Sequence, residues 1–248
     1  MFSMHVDNIG LREACEKVIE LSKDQRAFHY VVTPNVDHVM KLQKDMEFRK
    51  IYEQASLVLP DGQPLVWASR FLKKPLKEKV SGSDLFPIVC GMAAREKLKV
   101  FFLGGQAGVA DSAARRLKER FPGLEVAGIY SPPFGFEKDP LENAKIIELI
   151  RQAQPDILFV GLGAPKQEKW IRKHLNAVKV PVSLGIGASF DFEAGTIRRA
   201  PIWMQKSGLE WFWRFCQEPK RMFKRYFIDD SQFFLLLLKE KYIRKAEL

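Results

Sequence analysis

The chain has 248 residues, of which 46% are hydrophobic and 28% charged. This length predicts one large domain, or one domain with a small appendage, and the composition excludes wholesale disorder. No apolar run approaches the ~20 residues of a membrane-spanning helix. The N-terminus lacks a secretory pattern, and three scattered cysteines argue against a disulfide framework or a cysteine zinc site, which favours a cytoplasmic location. The formal charge of +10 predicts an anionic partner such as a phosphorylated substrate, an anionic lipid or a nucleic acid.

Short apolar runs alternate with helical patterns along the first 194 residues. The runs that predict strands are 29–33, 56–59, 100–103, 126–130, 157–160 and 182–186. Apolar residues spaced three or four apart predict helices at 36–54, 84–98, 108–120, 141–154 and 165–176, and a further helix begins near Pro64. Such alternation predicts an α/β fold, in which a Rossmann-like parallel sheet is covered by helices on both faces. We therefore predict one α/β domain over residues 1–194.

Polar residues and glycines follow the predicted strands, so the fold would gather them at one edge of the sheet, where ligands of such folds bind. They are Thr33, Asn35, Asp37, Asp61, Gly104, Gly105, Gly163, Lys166, Gln167, Glu168, Ser189 and Asp191. Glycines allow backbone N–H groups to approach a phosphate, and helix N-termini add partial positive charge. The pattern predicts a site for a nucleotide or another phosphorylated ligand.

Each of these residues also has a purely structural interpretation. Asp61 is either a general base or the N-terminal cap of the helix near Pro64. Thr33 and Asn35 either line the site or satisfy the turn at Pro34, and Asp37 and His38 are interpreted as first-turn residues of a solvated helix. Lys166 and Gln167 suit a phosphate and a sugar hydroxyl. The glycine pairs lack the third glycine of a dinucleotide fingerprint, and the acidic pair at 191 and 193 is not interpreted as a metal site.

The composition changes near residue 195. Residues 198–248 hold twelve Lys and Arg against six Asp and Glu, and three of the five tryptophans. Read as one helix, residues 219–238 place aromatic residues on one side and basic residues on the other, which is typical of a membrane-surface element. Two alternatives are an ordinary terminal helix packed on the domain and a set of arginines that clamp a pyrophosphate. We predict a basic helical appendage over residues 195–248.

Motifs along almost the whole chain resemble one enzyme family. They are Thr-Pro-Asn at 33–35, Leu-Pro-Asp-Gly at 59–62, Val-Ser-Gly-Ser-Asp at 80–84, Leu-Gly-Gly at 103–105, Gly-Ala-Pro-Lys-Gln-Glu at 163–168, Gly-Ala-Ser-Phe-Asp at 187–191, Arg-Ala-Pro at 199–201, Leu-Glu-Trp at 209–211 and Glu-Pro-Lys-Arg at 218–221. On these motifs the chain is similar to the WecG/TagA/CpsF glycosyltransferases.

The resemblance implies an inverting transferase that moves a sugar from a UDP donor to polyprenyl-pyrophosphate-linked GlcNAc, for teichoic acid, common antigen or capsule assembly. N-acetylmannosamine is the sugar best known for the family. The resemblance also implies that no metal is needed and that Asp61 is the general base. Thr33, Asn35 and Gln167 would line its pocket, and Arg214, Arg221 and Arg225 are candidates for arginines supplied by the appendage.

The resemblance leaves the donor sugar and the oligomeric state open, and it implies a cellular location. Lys79 stands where many members have arginine, which leaves the donor open to another hexose such as glucose or a uronic acid. The lipid acceptor implies a peripheral enzyme on the cytoplasmic face of an anionic membrane. The sequence leaves the oligomeric state open between a monomer and a homo-oligomer.

Three other classes of protein share parts of this pattern. A nicotinamide-dependent oxidoreductase requires a complete glycine fingerprint and an acidic residue ~20 positions further on, and neither is found. A nucleic-acid binder would explain the charge, and it predicts basic residues interleaved with exposed aromatic residues on one recognition element, which the region after residue 195 partly satisfies. No nucleic acid is expected as a partner. A catalytically silent membrane scaffold would keep the appendage without needing those polar residues.

Overall fold

The computed structural model describes residues 1–246, and only the backbone of residues 206, 221, 225, 227, 228 and 243–246. Within this range six parallel strands form one sheet in the order β2-β1-β6-β5-β3-β4. The strands are β1 (His29–Val32), β2 (Leu57–Val58), β3 (Lys99–Gly104), β4 (Glu125–Tyr130), β5 (Ile157–Gly161) and β6 (Val182–Gly185). The predicted strands and the parallel α/β sheet are confirmed.

Helices cover both faces of the sheet. In the first 194 residues they are α1 (Leu11–Ser22), α2 (Val36–Lys44), α3 (Met46–Glu53), α4 (Gln63–Phe71), α5 (Gly82–Glu96), α6 (Val109–Arg120), α7 (Pro140–Ala153), α8 (Lys166–Val178) and α9 (Ser189–Ala194). The remainder holds α10 (Ile202–Lys206), α11 (Glu210–Gln217), α12 (Pro219–Phe223) and α13 (Phe233–Ala246). The apolar sides of α1, α5, α6 and α9 pack on one face of the sheet. Those of α2, α3, α4, α7 and α8 pack on the other, which explains why the strands are apolar on both faces.

The single helix predicted over residues 36–54 is wrong, because α2 and α3 are separated at Asp45. This residue has φ −116° and ψ 100°, outside the helical region, and its side chain accepts a hydrogen bond from the Phe48 N–H at 3.0 Å. Aspartate competes with the backbone in this way and starts a new helix. The apolar spacing continues across the break, so periodicity alone did not reveal it.

The single helix predicted over residues 219–238 is also wrong. The structure has α12, then a π-helical segment Lys224–Asp229, then an interruption before α13. Asp229, Asp230 and Ser231 stand at the interruption, and residues of these types disfavour helix interiors because their side chains bond to the backbone. The aromatic residues therefore do not form one continuous stripe.

The C-terminal segment, which is the part of the described chain after residue 195, packs against the rest of the protein. Met222 and Phe233 are buried, and the Phe233 ring lies 5.3 Å from the ring of Phe2. The Phe2 N–H donates to Glu240 Oε1 at 3.2 Å, which joins the two ends of the chain. One alternative for this segment was a terminal helix packed on the domain, and its buried side is packed in that way. Phe234 and Leu235 of α13 are exposed. The division into domains at residue 195 stays a prediction.

The position at the end of β3 that Gly104 occupies has no room for a side chain. Its φ is +112°, and a Cβ there would lie 2.4 Å from the Gly161 carbonyl oxygen. We expect Gly104→Ala to lower the free energy of unfolding by about 3 kcal/mol, measured by urea denaturation. The control is Gly108→Ala, where φ is +81° but no atom lies within 4 Å, and the expected loss is about 1 kcal/mol. Equal losses at the two positions would show that the carbonyl contact is unimportant.

Candidate active site

A cleft of about 740 Å³ opens at the carboxyl ends of the strands. This is the edge where open α/β sheets bind ligands. Most of the predicted site residues line it: Thr33, Asn35, Asp61, Lys79, Gly163, Gln167, Asp191 and Arg214. The fold therefore brings together residues that are up to 181 positions apart in sequence.

Three predicted binding residues do not line this cleft. Gly104 and Gly105 lie behind it, and the Gly105 N–H already donates to the Gly161 carbonyl at 3.0 Å. Lys166 turns to Glu137, with Nζ 3.2 Å from Oε1, and lies 5.2 Å from the centre of the Phe134 ring. The side chains of Arg221 and Arg225 lie outside the described residues.

Asp61 stands on the loop that leaves β2. Its N–H donates to the Pro34 carbonyl at 2.8 Å, which ties this loop to the one that leaves β1. Gly62, with φ +106°, occupies the N-cap position of α4, so Asp61 is not the cap. The half-buried carboxylate on the cleft wall is suited to accept a proton from a bound hydroxyl group.

Thr33 and Asn35 serve the fold as well as lining the cleft. Thr33 Oγ1 donates to the Gly185 carbonyl at 3.4 Å and so joins the ends of β1 and β6. Asn35 is the N-cap of α2, and its Oδ1 accepts the His38 N–H at 3.3 Å. The structural and the binding interpretations of these two residues are therefore compatible.

Gln167 is buried and holds two loops of the cleft together. Its Oε1 accepts the N–H groups of Gly163 at 3.2 Å and Gly187 at 3.0 Å, and its Nε2 donates to Glu168 Oε1 at 2.7 Å. The Gly163 amide is thus directed to Gln167, as is that of Gly187. Gln167 shapes the cleft wall, and its role toward a sugar hydroxyl stays a prediction.

Glu168 is fully buried behind this wall. Its Oε2 has no hydrogen-bond partner in the described part of the chain, and burial raises its pKa to about 7. A hydrogen bond from Gln167 opposes this shift without cancelling it. A carboxyl group beside the cleft thus changes its charge near neutral pH.

The titration of Glu168 predicts a pH dependence of stability. The unfolded chain loses this proton near pH 4.5 and the folded chain near pH 7, so folded-state stability decreases as the pH rises through this window. We expect Glu168→Gln to raise the free energy of unfolding at pH 8 by about 3 kcal/mol and to change it little at pH 4.5. Urea denaturation at both pH values checks this. The same increment at both would contradict the shifted pKa.

His38 lines the cleft, and the prediction that it is a solvated helix residue is wrong. It is 5% exposed, and its Nδ1 lies 2.6 Å from the Tyr52 hydroxyl. Burial first, and then the charges of Glu168 and Asp61, raise the pKa of Tyr52 well above its ordinary value. The phenol therefore keeps its proton, and the Tyr52 hydroxyl and His38 Nδ1 share a hydrogen bond inside the protein. Tyr52 lies 14 residues further along, on another helix, so no local signal revealed the pair.

Lys79 belongs to a group of four charged side chains. Its Nζ lies 3.0 Å from Glu210 Oε2 and 3.6 Å from Asp84 Oδ2. Arg199 contacts the same two carboxylates, at 2.5 Å from Asp84 and 3.5 Å from Glu210. Burial acts to lower the pKa of Lys79, but the charges of Glu210 and Asp84 outweigh it and raise the pKa above its ordinary value. Lys79 is therefore a cation on the cleft wall.

Residues after 195 form one wall of the cleft. Those with described side chains are Arg198, Ala200, Gln205, Glu210, Trp211, Trp213, Arg214, Gln217, Met222, Tyr226, Asp229 and Asp230. The Arg214 guanidinium lies 5.5 Å from the centre of the Phe192 ring and 3.9 Å from Glu218. No helix within residues 1–246 is both long and apolar enough to cross a bilayer.

The sequence model of the "Glycosyl transferase WecG/TagA/CpsF family" matches residues 1–247, so the protein is a glycosyltransferase. The chain is similar to proteins named N-acetylglucosaminyldiphosphoundecaprenol N-acetyl-beta-D-mannosaminyltransferase. The one from Bacillus spizizenii is 35% identical over 80% of this chain and 75% of its own. Those from Bacillus subtilis and Staphylococcus aureus are 32% and 31% identical, over 90% and 87% of this chain and 84% and 83% of their own. The chain belongs to the WecG/TagA/CpsF glycosyltransferase family.

Proposed function

We propose that this enzyme transfers N-acetylmannosamine from a UDP donor to GlcNAc linked through a diphosphate to undecaprenol, with inversion at the anomeric carbon. The names of its relatives supply the sugar and the acceptor. The observation that carries the mechanism is the Asp61 carboxylate on the wall of an open cleft at the strand ends.

The proposed reaction needs one base and one leaving group. A hydroxyl oxygen of the acceptor GlcNAc attacks the anomeric carbon and forms the new glycosidic bond. The bond from that carbon to the UDP oxygen breaks, and its electron pair stays on the β-phosphate. Asp61 takes the proton of the attacking hydroxyl, which makes the oxygen a better nucleophile as the bond forms.

Cationic side chains would stabilise the departing diphosphate. Lys79, Arg198 and Arg214 line the cleft, and cations placed where charge develops lower the barrier of such a step. Lys79 is a compact ammonium rather than a planar fork, so it would contact a phosphate as a point charge.

The acceptor lipid requires the enzyme to work at a membrane surface. We assign this contact to the C-terminal segment, where Ile202, Trp203, Phe223, Phe234 and Leu235 are exposed. Exposed apolar and aromatic groups on a basic segment favour shallow burial in an anionic bilayer. A peripheral position on the cytoplasmic face, where UDP-sugars occur, fits this arrangement.

The test is acceptor-dependent transfer in a defined mixture. UDP-N-acetylmannosamine, UDP-N-acetylglucosamine and UDP-glucose are each offered with a short-chain lipid-diphosphate-GlcNAc, and products are identified by mass. The expected result is one added N-acetylhexosamine from UDP-N-acetylmannosamine alone. Transfer from UDP-N-acetylglucosamine or UDP-glucose, or no transfer from any donor, would contradict the proposal.

A further inference from the structure

Glu210 is a carboxylate inside a cleft that must receive an anionic substrate. It begins α11 and lines the cleft together with Lys79. Its Oε2 contacts the Lys79 ammonium at 3.0 Å, while Oε1 lies 3.5 Å from Arg199 Nε. The Arg199 Nε is buried and makes no hydrogen bond among the described residues, so this second contact is an imperfect one.

The group formed by Lys79, Arg199, Asp84 and Glu210 is electrically neutral. Glu210 therefore cancels a charge that the cleft wall would otherwise offer to a diphosphate. The described side chains that line the cleft include more carboxylates than cations: Asp37, Asp61, Asp191, Glu210, Asp229 and Asp230 against Lys41, Lys79, Arg198 and Arg214. Lys41 is itself held by Asp37, with Nζ 2.6 Å from Oδ2.

The two carboxylates on Lys79 differ in how they are held. Asp84 accepts from the Ser81 hydroxyl at 2.6 Å and from Arg199 at 2.5 Å, within the first turn of α5. Glu210 belongs to the C-terminal segment, and no hydrogen bond to its side chain is found in the described chain except that from Lys79. Of the two, Glu210 is the one that a ligand could displace from Lys79 at small cost.

We propose that Glu210 occupies the diphosphate position of Lys79 while the cleft is empty, as a built-in competitor of UDP. This rests on the proposed function. When a UDP donor binds, its diphosphate replaces the Glu210 carboxylate on the Lys79 ammonium. After transfer, Glu210 returns to Lys79 as UDP leaves. The exchange weakens UDP binding and speeds product release, a step that limits many enzymes.

The proposal predicts that removing the Glu210 charge strengthens UDP binding. We expect Glu210→Gln to lower the dissociation constant of UDP about fivefold at low salt, because one competing charge at contact distance is lost, and less at high salt. Glu210→Asp, which withdraws the carboxylate by one methylene group, should give a smaller gain. The charge-matched control is Glu125→Gln, which removes a half-exposed partner of Lys99 at the opposite edge of the sheet and should change nothing. Isothermal calorimetry with UDP measures all four proteins.

Two further variants, Lys79→Gln with and without Glu210→Gln, test whether the gain in UDP affinity acts through Lys79. In a Lys79→Gln background, Glu210→Gln should no longer tighten UDP binding, because the contested ammonium is absent. If Glu210 only held the C-terminal segment in place, its replacement would weaken UDP binding. Three outcomes would overturn the proposal without contradicting the transferase function. They are unchanged or weaker UDP binding by Glu210→Gln, a gain in UDP affinity that persists without Lys79, and an equal gain in Glu125→Gln. A wild-type protein that binds no UDP would overturn the proposed function as well.

Discussion

Asp61→Asn is expected to reduce sugar transfer by about 10³-fold, within the range that a positioned general base contributes. The amide has the shape of the carboxylate but takes no proton from the attacking hydroxyl. The measurement is acceptor-dependent release of UDP under single-turnover conditions, which isolates the chemical step from product release.

Two controls separate loss of the base from loss of the fold. Asp61→Asn should bind UDP with an affinity within a few fold of wild type, since the proton it takes comes from the acceptor. Asp111→Asn, on the exposed first turn of α6, makes the same chemical change far from the cleft and should retain full activity. Near-normal transfer by Asp61→Asn would assign the base to another group.

Three exposed apolar side chains of α13 should govern attachment to membranes. Leu238 lies four residues after Phe234 and three after Leu235, and Phe234 and Leu235 are 71% and 69% exposed. Replacing all three by Ser should weaken binding to vesicles of anionic lipid by about 100-fold or more, because each buried apolar side chain contributes over 1 kcal/mol. Sedimentation with vesicles measures the change.

Substitution on this surface is a sharper test than deletion of residues 195–248. Deletion would uncover apolar groups that now pack on Met222 and Phe233, and would remove one wall of the cleft. The triple variant should keep its affinity for UDP, and Leu141→Ser, which changes an 83% exposed leucine at the start of α7, should bind vesicles like wild type. Wild-type sedimentation by the triple variant would show that α13 is not the membrane contact.

The fold could be predicted from local pattern because the strands are short apolar runs that end at turn residues. Runs such as 157–160 and 182–186 are buried on both faces, and this leaves a clear signal in a single sequence. The strand-end rule also predicted that Thr33, Asp61 and Gln167 meet at one cleft. Breaks between helices were harder to predict, because Asp45 caps α3 within an apolar pattern that continues on both sides of it.

The contacts across the cleft could not be predicted, because they join side chains far apart in sequence. Tyr52 reaches His38 from α3, and Glu210 reaches Lys79 across 131 positions. For Gly104 and Gly105 the sequence predicted a place on the wall of the ligand-binding cleft that the structure does not give them. These residues suit a phosphate loop, but one position avoids a backbone collision and the other has its N–H bonded to Gly161.

The anomeric configuration of the product tests the central claim most directly. One base and one displacement at the anomeric carbon predict that an α-linked UDP donor yields a β-linked sugar. The one-bond C–H coupling constant of the anomeric carbon, measured by NMR on the purified product, reports this configuration. A β-linked product formed by wild type and not by Asp61→Asn is the predicted result. An α-linked product would require a second displacement and a nucleophile, and would contradict the role given to Asp61.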